Sequence, residues 1–276
     1  MDPHEALPIT PVHILHSLFT NRRLIAQITK REITSRYKGS LLGLAWSFIN
    51  PLLMLAVYTF VFSVVFKSRW VEGGEESKVQ FAVVLFAGMI VYGLFAEVLS
   101  GAPALIISNA NYVKRVVFPL EILTVVSIAV ALFHSLISLS VLLIAFVILN
   151  GFLHWTIVFI PLLLLPLMLF SLGVGWLLAS LGVFLRDIGQ SVGIIITVLM
   201  FLSPVFYSIG SLPENLRPWI MANPLTFIIL QTREVLIWGH QPDWAGLGVY
   251  TVAAAVVAWM GYAWFQRTRK GFADVL

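Results

Sequence analysis

The sequence predicts an all-α polytopic membrane protein with six transmembrane helices and an amino-terminal amphipathic helix lying in the membrane interface. Three observations predict this. Of 276 residues, 59% are hydrophobic and 11% charged, against roughly half and a quarter in soluble domains. The charges cluster between long neutral runs. A bilayer core about 30 Å thick needs about 20 apolar residues per helical crossing, so several crossings fit. These features exclude a soluble enzyme, a disordered chain and a nucleic-acid-binding domain. The net charge of +4 suits membrane-flanking Lys and Arg better than a phosphate-binding stripe. Without cysteine there is no disulfide framework, thiolate metal site or thiol nucleophile.

The elements follow in order. Residues 15–37 place Leu18, Ile25 and Ile28 at roughly helical spacing among Arg22, Arg23, Lys30, Arg31 and Arg36, the pattern of an interfacial helix. Met1 to Pro11 carries two acids and three prolines, unlike a signal peptide. The first crossing is 41–66, ended by Lys67 and Arg69. The second is 79–100, interrupted by Glu97 and fading at Ser100–Gly101–Ala102–Pro103. A neutral run from Ile122 to Leu185 is too long for one helix, and the turn cluster Asn150–Gly151–Phe152–Leu153–His154 divides it into crossings at 120–149 and 155–183. Arg186–Asp187 end the fourth. The fifth is 188–209, with a kink expected at Pro204, and the sixth is 244–266. Between them Pro213, Pro218 and Pro224 leave pieces too short to cross.

Lys and Arg set the orientation. With both termini on one side, that side carries twelve of these residues and the other five, which places the termini in the cytoplasm. An even number of crossings agrees.

The chemistry is as informative for what it lacks. There is no G-x-x-x-x-G-K-[ST], so this chain cannot cradle ATP phosphates in a P-loop. His134 is the one histidine inside a crossing, either a functional group or an imidazole bonded to a neighbouring helix. Glu97 and Glu121 flank the Lys114–Arg115 segment and are expected in ion pairs with it or with the basic first segment. No acid stands at mid-crossing, as a proton- or sodium-driven carrier would require, so the energy comes from elsewhere. Tyr58, Phe62 and Phe66 fall at i, i+4 and i+8 on one helix face, and Phe201, Phe206 and Tyr207 crowd around Pro204. Such rings can stack on sugars or simply pack against lipid and other helices. Arg31, Arg36 and Lys38 stand where a pyrophosphate-linked sugar would arrive from the cytoplasm, or serve topology alone.

The string R-E-I-x-x-R-Y-K-G-S-x-L-G-x-x-W-x-x-x-x-P, from Arg31 to Pro51, resembles the start of ABC-2-type polysaccharide exporter permeases, which export O-antigen, capsule or teichoic acid. The segments 111–119 (N-Y-V-K-R-V-V-F-P), 184–188 (F-L-R-D-I) and 201–207 (F-L-S-P-V-F-Y) extend the resemblance over nearly the whole chain, most closely to O-antigen exporters. The resemblance implies a homodimer around a central channel, bound to two copies of a separate ATPase that carries ATP and magnesium. It implies no cofactor and no catalytic residue on this chain, and a bacterial inner-membrane location. Residues 104–117 would include the coupling helix, with Asn111, Tyr112, Lys114 and Arg115 meeting the ATPase. Residues 210–224, with Pro213 and Pro218, would form short re-entrant helices gating the outer end. Tyr58, Phe62, Phe66, Phe201 and Tyr207 would line the channel for a lipid-linked polysaccharide. Capsule, teichoic acid, a small lipid or a drug are alternative cargoes. A membrane-embedded transferase is the alternative of another class, but it would need a paired carboxylate or His–Asp constellation at an interface, and none is present.

Overall fold

In a computed structural model the chain is described over residues 9–61, 78–115 and 118–276, without the side chains of residues 11, 78–80, 114 and 115. The described residues form helices and no strand. In hydrocarbon a helix alone satisfies all its backbone hydrogen bonds within one segment. Five helical stretches among them are long and apolar enough to cross a membrane: Gly43–Val61, Phe81–Leu105, Ile122–Asn150, Trp155–Phe184 and Trp244–Val275.

The amino-terminal segment is not one helix over 15–37. It begins earlier, as α1 (Pro11–Thr20), and breaks at Asn21 before α2 (Arg22–Tyr37). Asn21 has left helical geometry at ψ 10°, and both its backbone N–H and its side-chain amide donate to the Ser17 carbonyl, at 3.0 and 2.8 Å. Such a residue ends one helix and lets the next start at a new angle.

A short 3₁₀ turn at Gly43–Ala45 leads into α3 (Trp46–Tyr58). The end of the first expected crossing lies outside the described residues. The second helix, α4 (Lys78–Leu105), passes through Pro103 rather than fading before it. Gly182 of a later helix has no side chain where a Cβ would meet the Pro103 carbonyl, so the surrounding backbone is packed tightly there. The expected 104–117 segment is divided: α4 ends at Leu105, a 3₁₀ turn follows at Ile107–Asn109, and α5 covers Ala110–Arg115.

Next come α6 (Ile122–Asn150) and α7 (Ile160–Phe184), the latter preceded by a 3₁₀ turn at Trp155–Phe159. The fifth expected crossing is helical only as α8 (Ile188–Leu202); Ser203 is extended and Pro204 follows. Proline cannot donate the N–H that would continue the ladder. Beyond it lie α9 (Arg217–Met221), α10 (Pro224–Arg233), α11 (Trp244–Thr268) and the terminal α12 (Phe272–Val275).

α4 is the hub. It packs against α6, α7, α8 and α10, while α11 packs on α7 and α3 lies against α6 and α4. The α7–α11 pair meets through Gly173 and Gly261: a Cβ on either would collide with the other helix's backbone. Such close approach is how helices gain dispersion contact where no hydrophobic force draws them together. By contrast α3 leaves Phe48, Leu52, Leu53 and Val57 exposed.

Candidate functional site: a cavity lined by aromatic and polar side chains

Four helices line an open cavity of about 580 Å³, within the roughly 300–1,000 Å³ range of small-molecule sites. Its geometry begins with the chain reversal after α2. Gly39 and Gly43 have φ of 86° and 50°, left-handed conformations that suit glycine. The reversal brings Ser40, Trp46 and Ser47 opposite the end of α2, and one turn of α3 further on come Asn50 and Pro51, then Met54 and Tyr58. α4 contributes Phe86, Met89 and Glu97, and α6 contributes His134, Ser135 and Ser138.

At one end of the cavity stands a charged cluster. Nη1 of Arg36 donates to Oε1 of Glu97 at 2.5 Å. Both oxygens of that carboxylate face Nδ1 of His134, at 2.9 and 3.1 Å. Two acceptors opposite one ring nitrogen assign a hydrogen to Nδ1, and Nε2 lies 3.1 Å from the Tyr37 hydroxyl. Arg36 Nη1 is 3.2 Å from Nδ1, but both nitrogens are donors, so the carboxylate is what they share. Glu97 therefore pairs with the basic first segment, as one expectation from the sequence had it.

A second cluster, at the start of α6, ties the amino-terminal helices to the rest. The Glu121 carboxylate is 2% exposed, accepts from Ser17 Oγ at 2.9 Å and from Arg269 Nη1 at 3.1 Å, and Arg269 Nη2 donates to the Phe118 carbonyl. Among the described residues its ion partner is Arg269 of the carboxyl-terminal segment rather than a residue of the basic first segment; the expected partners Lys114 and Arg115 lie outside the described side chains. Trp176 Nε1 donates to the Glu121 carbonyl at 2.9 Å. Beside it Tyr112 stacks on Phe118 with ring centroids 4.3 Å apart, and Arg31 donates to the Tyr112 hydroxyl at 3.0 Å. That bond holds the Arg31 guanidinium above its ordinary range, with Glu32 adding to it.

Of the expected channel residues, Tyr58 lines the cavity with Arg36. Phe62 and Phe66 lie outside the described residues. Phe201 and Tyr207 are elsewhere: Phe201 is 61% exposed at the end of α8, 6.0 Å from the Phe206 ring, and the Tyr207 hydroxyl donates to its carbonyl. The described chain does not gather the aromatics into one lining. Lys38 is exposed and outside the cavity wall, and Asn111 is exposed on α5; the side chains of Lys114 and Arg115 are not described. Pro213 is exposed, and Pro218 opens α9. Among the described residues no three His, Asp or Glu side chains gather as a metal site requires.

Sequence reasoning did not join Glu97, His134 and Trp46 into one site. The signal was present as two complementary ionisable residues in neighbouring crossings, a combination that is costly to bury unpaired.

At the far end, Arg233 of α10 is fully buried. Its guanidinium donates to the carbonyls of Val84, Pro204 and Val205 at 2.9, 2.6 and 2.9 Å. Asn223 caps α10 and donates to Ser203 Oγ at 3.0 Å. The bend after α8 is thereby fastened to α4 and α10.

The family described as ABC-2 type transporter matches residues 23–237. The chain is 25% identical over 265 residues to the O-antigen export system permease protein RfbA of Myxococcus xanthus, covering 95% of this chain and 99% of that one. It is 26% identical over 256 residues to the RfbA permease of Klebsiella pneumoniae, covering 92% and 95%. To the polysialic acid transport protein KpsM of Escherichia coli it is 25% identical over 247 residues, covering 87% and 91%.

Proposed function

Because the chain belongs to the ABC-2 type transporter family, we propose that it is the membrane-spanning subunit of an ATP-driven exporter of lipid-linked polysaccharide of the O-antigen type. The single observation that carries this reading beyond the family is the cavity. Its lining combines the aromatic side chains of Trp46 and Tyr58, the hydroxyls and amide of Ser40, Ser47, Asn50 and Ser138, and the Arg36 cation. Rings against sugar C–H groups and hydroxyls against sugar hydroxyls are the complement of a glycan.

On this reading the chain is a permease and not an enzyme. It crosses the bacterial inner membrane six times, with α8 and the bend at Pro204 as the fifth passage and both termini in the cytoplasm. A second copy would cover the exposed faces of α3 and α8, where Leu52, Val57, Ile194 and Val198 are bare. Two copies of a separate ATPase, holding ATP and magnesium, would seat against α5. α9 and α10 would form the re-entrant outer gate. Irregular backbone such as theirs survives at membrane depth only when buried in protein or lining a wet passage. Capsule polysaccharide is the second cargo, favoured by the similarity to the capsule polysaccharide export inner-membrane protein CtrC of Neisseria meningitidis.

The test is loss of the chain followed by localisation of the polymer. Export requires polymer to accumulate on the cytoplasmic side and to return to the surface when the chain is restored. Unchanged surface polymer would remove this reading.

A further inference from the structure

The Arg36–Glu97 pair belongs to two cavities. Beyond it lies the 580 Å³ space that ends at Tyr58. On its other side a second space of about 390 Å³ opens between α2, α4 and α6, walled by Glu32, Ser108, Asn109 and Ser127, and it too has Arg36 and Glu97 in its lining. Asn109 adjoins the first residue of α5. The ion pair is thus the partition between an inner cavity and one that leads to the end of the bundle where α5 lies.

The two halves of this partition are held unequally. The Arg36 side chain is 50% exposed, whereas Glu97 and His134 are 25% and 17% exposed. Both Glu97 oxygens also lie 2.9 and 3.1 Å from His134 Nδ1, a contact that does not involve Arg36. If the guanidinium swings away, the carboxylate is not left without a donor, so the cost of opening is small on that side. The guanidinium itself needs a new anion, and its planar fork fits phosphate as well as carboxylate.

We propose that Arg36, Glu97 and His134 form a gate on a polar path within one protomer, opened when a phosphate-bearing head group replaces Glu97 on Arg36. Glu97 acts as the resident anion, His134 holds it in place during the exchange, and Tyr37 holds the other face of the imidazole. The ligand is recognised as a phosphate ester or pyrophosphate. The direction of travel, from the α5 end inward, rests on the proposed export function; the partition does not.

The absence of cysteine makes the test direct. Ser127→Cys reports the cavity before the partition and Ser138→Cys the cavity beyond it. Inside-out vesicles carrying the full chain are treated with an anionic, membrane-impermeant thiol reagent. Ser138→Cys should react about tenfold or more slowly than Ser127→Cys, the equivalent of one charge-assisted hydrogen bond holding the gate. Adding Glu97→Gln should raise Ser138→Cys to the rate of Ser127→Cys. Geranyl pyrophosphate should do the same in the parent and do nothing further in Arg36→Gln. If inorganic pyrophosphate also opens the gate, the phosphate chemistry suffices; if only the prenyl form does, the head group must be lipid-linked. Equal rates at the two cysteines with Glu97 present would overturn the partition. A gate that Glu97→Gln opens but neither pyrophosphate affects would overturn the ligand. Should Glu97→Gln fail to accumulate, Arg36→Gln reads the same partition, with Ser127→Cys labelling as the check on folding. No cargo is required, so this result stands apart from the polymer localisation that tests export.

Discussion

Ser17 donates its hydroxyl hydrogen to a carboxylate oxygen of Glu121, 104 residues away, across a buried 2.9 Å contact. Because Arg269 holds the other oxygen, one carboxylate fastens α1, the start of α6 and the carboxyl-terminal turn. Breaking a buried pair by removing one partner leaves the other charge uncompensated and costs about 3–5 kcal/mol. Glu121→Ala should therefore lower the unfolding temperature of the detergent-solubilised chain, and Glu121→Ala with Arg269→Ala should recover part of the loss. A double variant no more stable than the single would show that the pair is not coupled.

The contact between Gly173 and Gly261 predicts a second effect. Gly261→Val forces α11 away from the α7 backbone, and overpacking of this kind costs roughly 1–3 kcal/mol. Gly248 lies on the same helix with nothing within 4 Å of a Cβ, so Gly248→Ala should leave thermal stability unchanged. Equal melting curves for the two variants would contradict the close approach.

Arg233 donates to three carbonyls from two other segments. Arg233→Leu leaves those acceptors without this donor inside protein, at about 1–3 kcal/mol for each buried group left unsatisfied. Lysine presents one compact ammonium in place of a planar fork, so Arg233→Lys should rescue only partly. Proteolysis of the 203–224 segment in membrane vesicles checks this: it should be fastest in Arg233→Leu and intermediate in Arg233→Lys.

For the cavity, Tyr58→Ala should shorten or reduce exported polymer while the protein still inserts. Aromatic contacts are worth roughly 0.5–1.5 kcal/mol each, weak enough for a polymer to slide. Tyr58→Phe should retain most export if the ring face is what matters. Phe201→Ala changes a ring outside this cavity and tests whether the assembled passage uses α8. Polymer length on gels distinguishes the three.

Replacing Lys114 and Arg115 together by Glu should weaken retention of the proposed ATPase on the purified chain without changing membrane insertion. Undiminished co-purification would take α5 out of that contact.

Much of the architecture was legible because hydropathy and length speak loudly in lipid: the neutral runs at 120–149 and 155–183 correspond closely to α6 and to the turn and helix ending at Phe184. The breaks were less legible. Asn21 divides the amino-terminal segment by hydrogen bonds that a periodicity of apolar residues does not register. Pro103 signals an end, yet α4 runs on to Leu105. Pairings were least legible of all. Arg269 and Glu121 are 148 residues apart, and nothing local to either residue names the other. Tyr58 was picked out by helical spacing, but spacing grouped it with rings further along the same face. The structure places it in the lining of a cavity that Trp46, at the other end of α3, and Ser138 also line, while the rings further along that face lie outside the described residues.

α3 supplies one whole side of the cavity, yet most of its outer face meets nothing among the described residues. A compartment with one loosely seated wall has no fixed width of its own. Whatever leans on Phe48, Leu52 and Val57 from outside, whether a second copy or an acyl chain, sets how far Tyr58 stands from Met89 and Ser138. The bore is then a property of the company the subunit keeps. Membrane thickness and lipid saturation should tune which cargo fits, without any change to a residue inside.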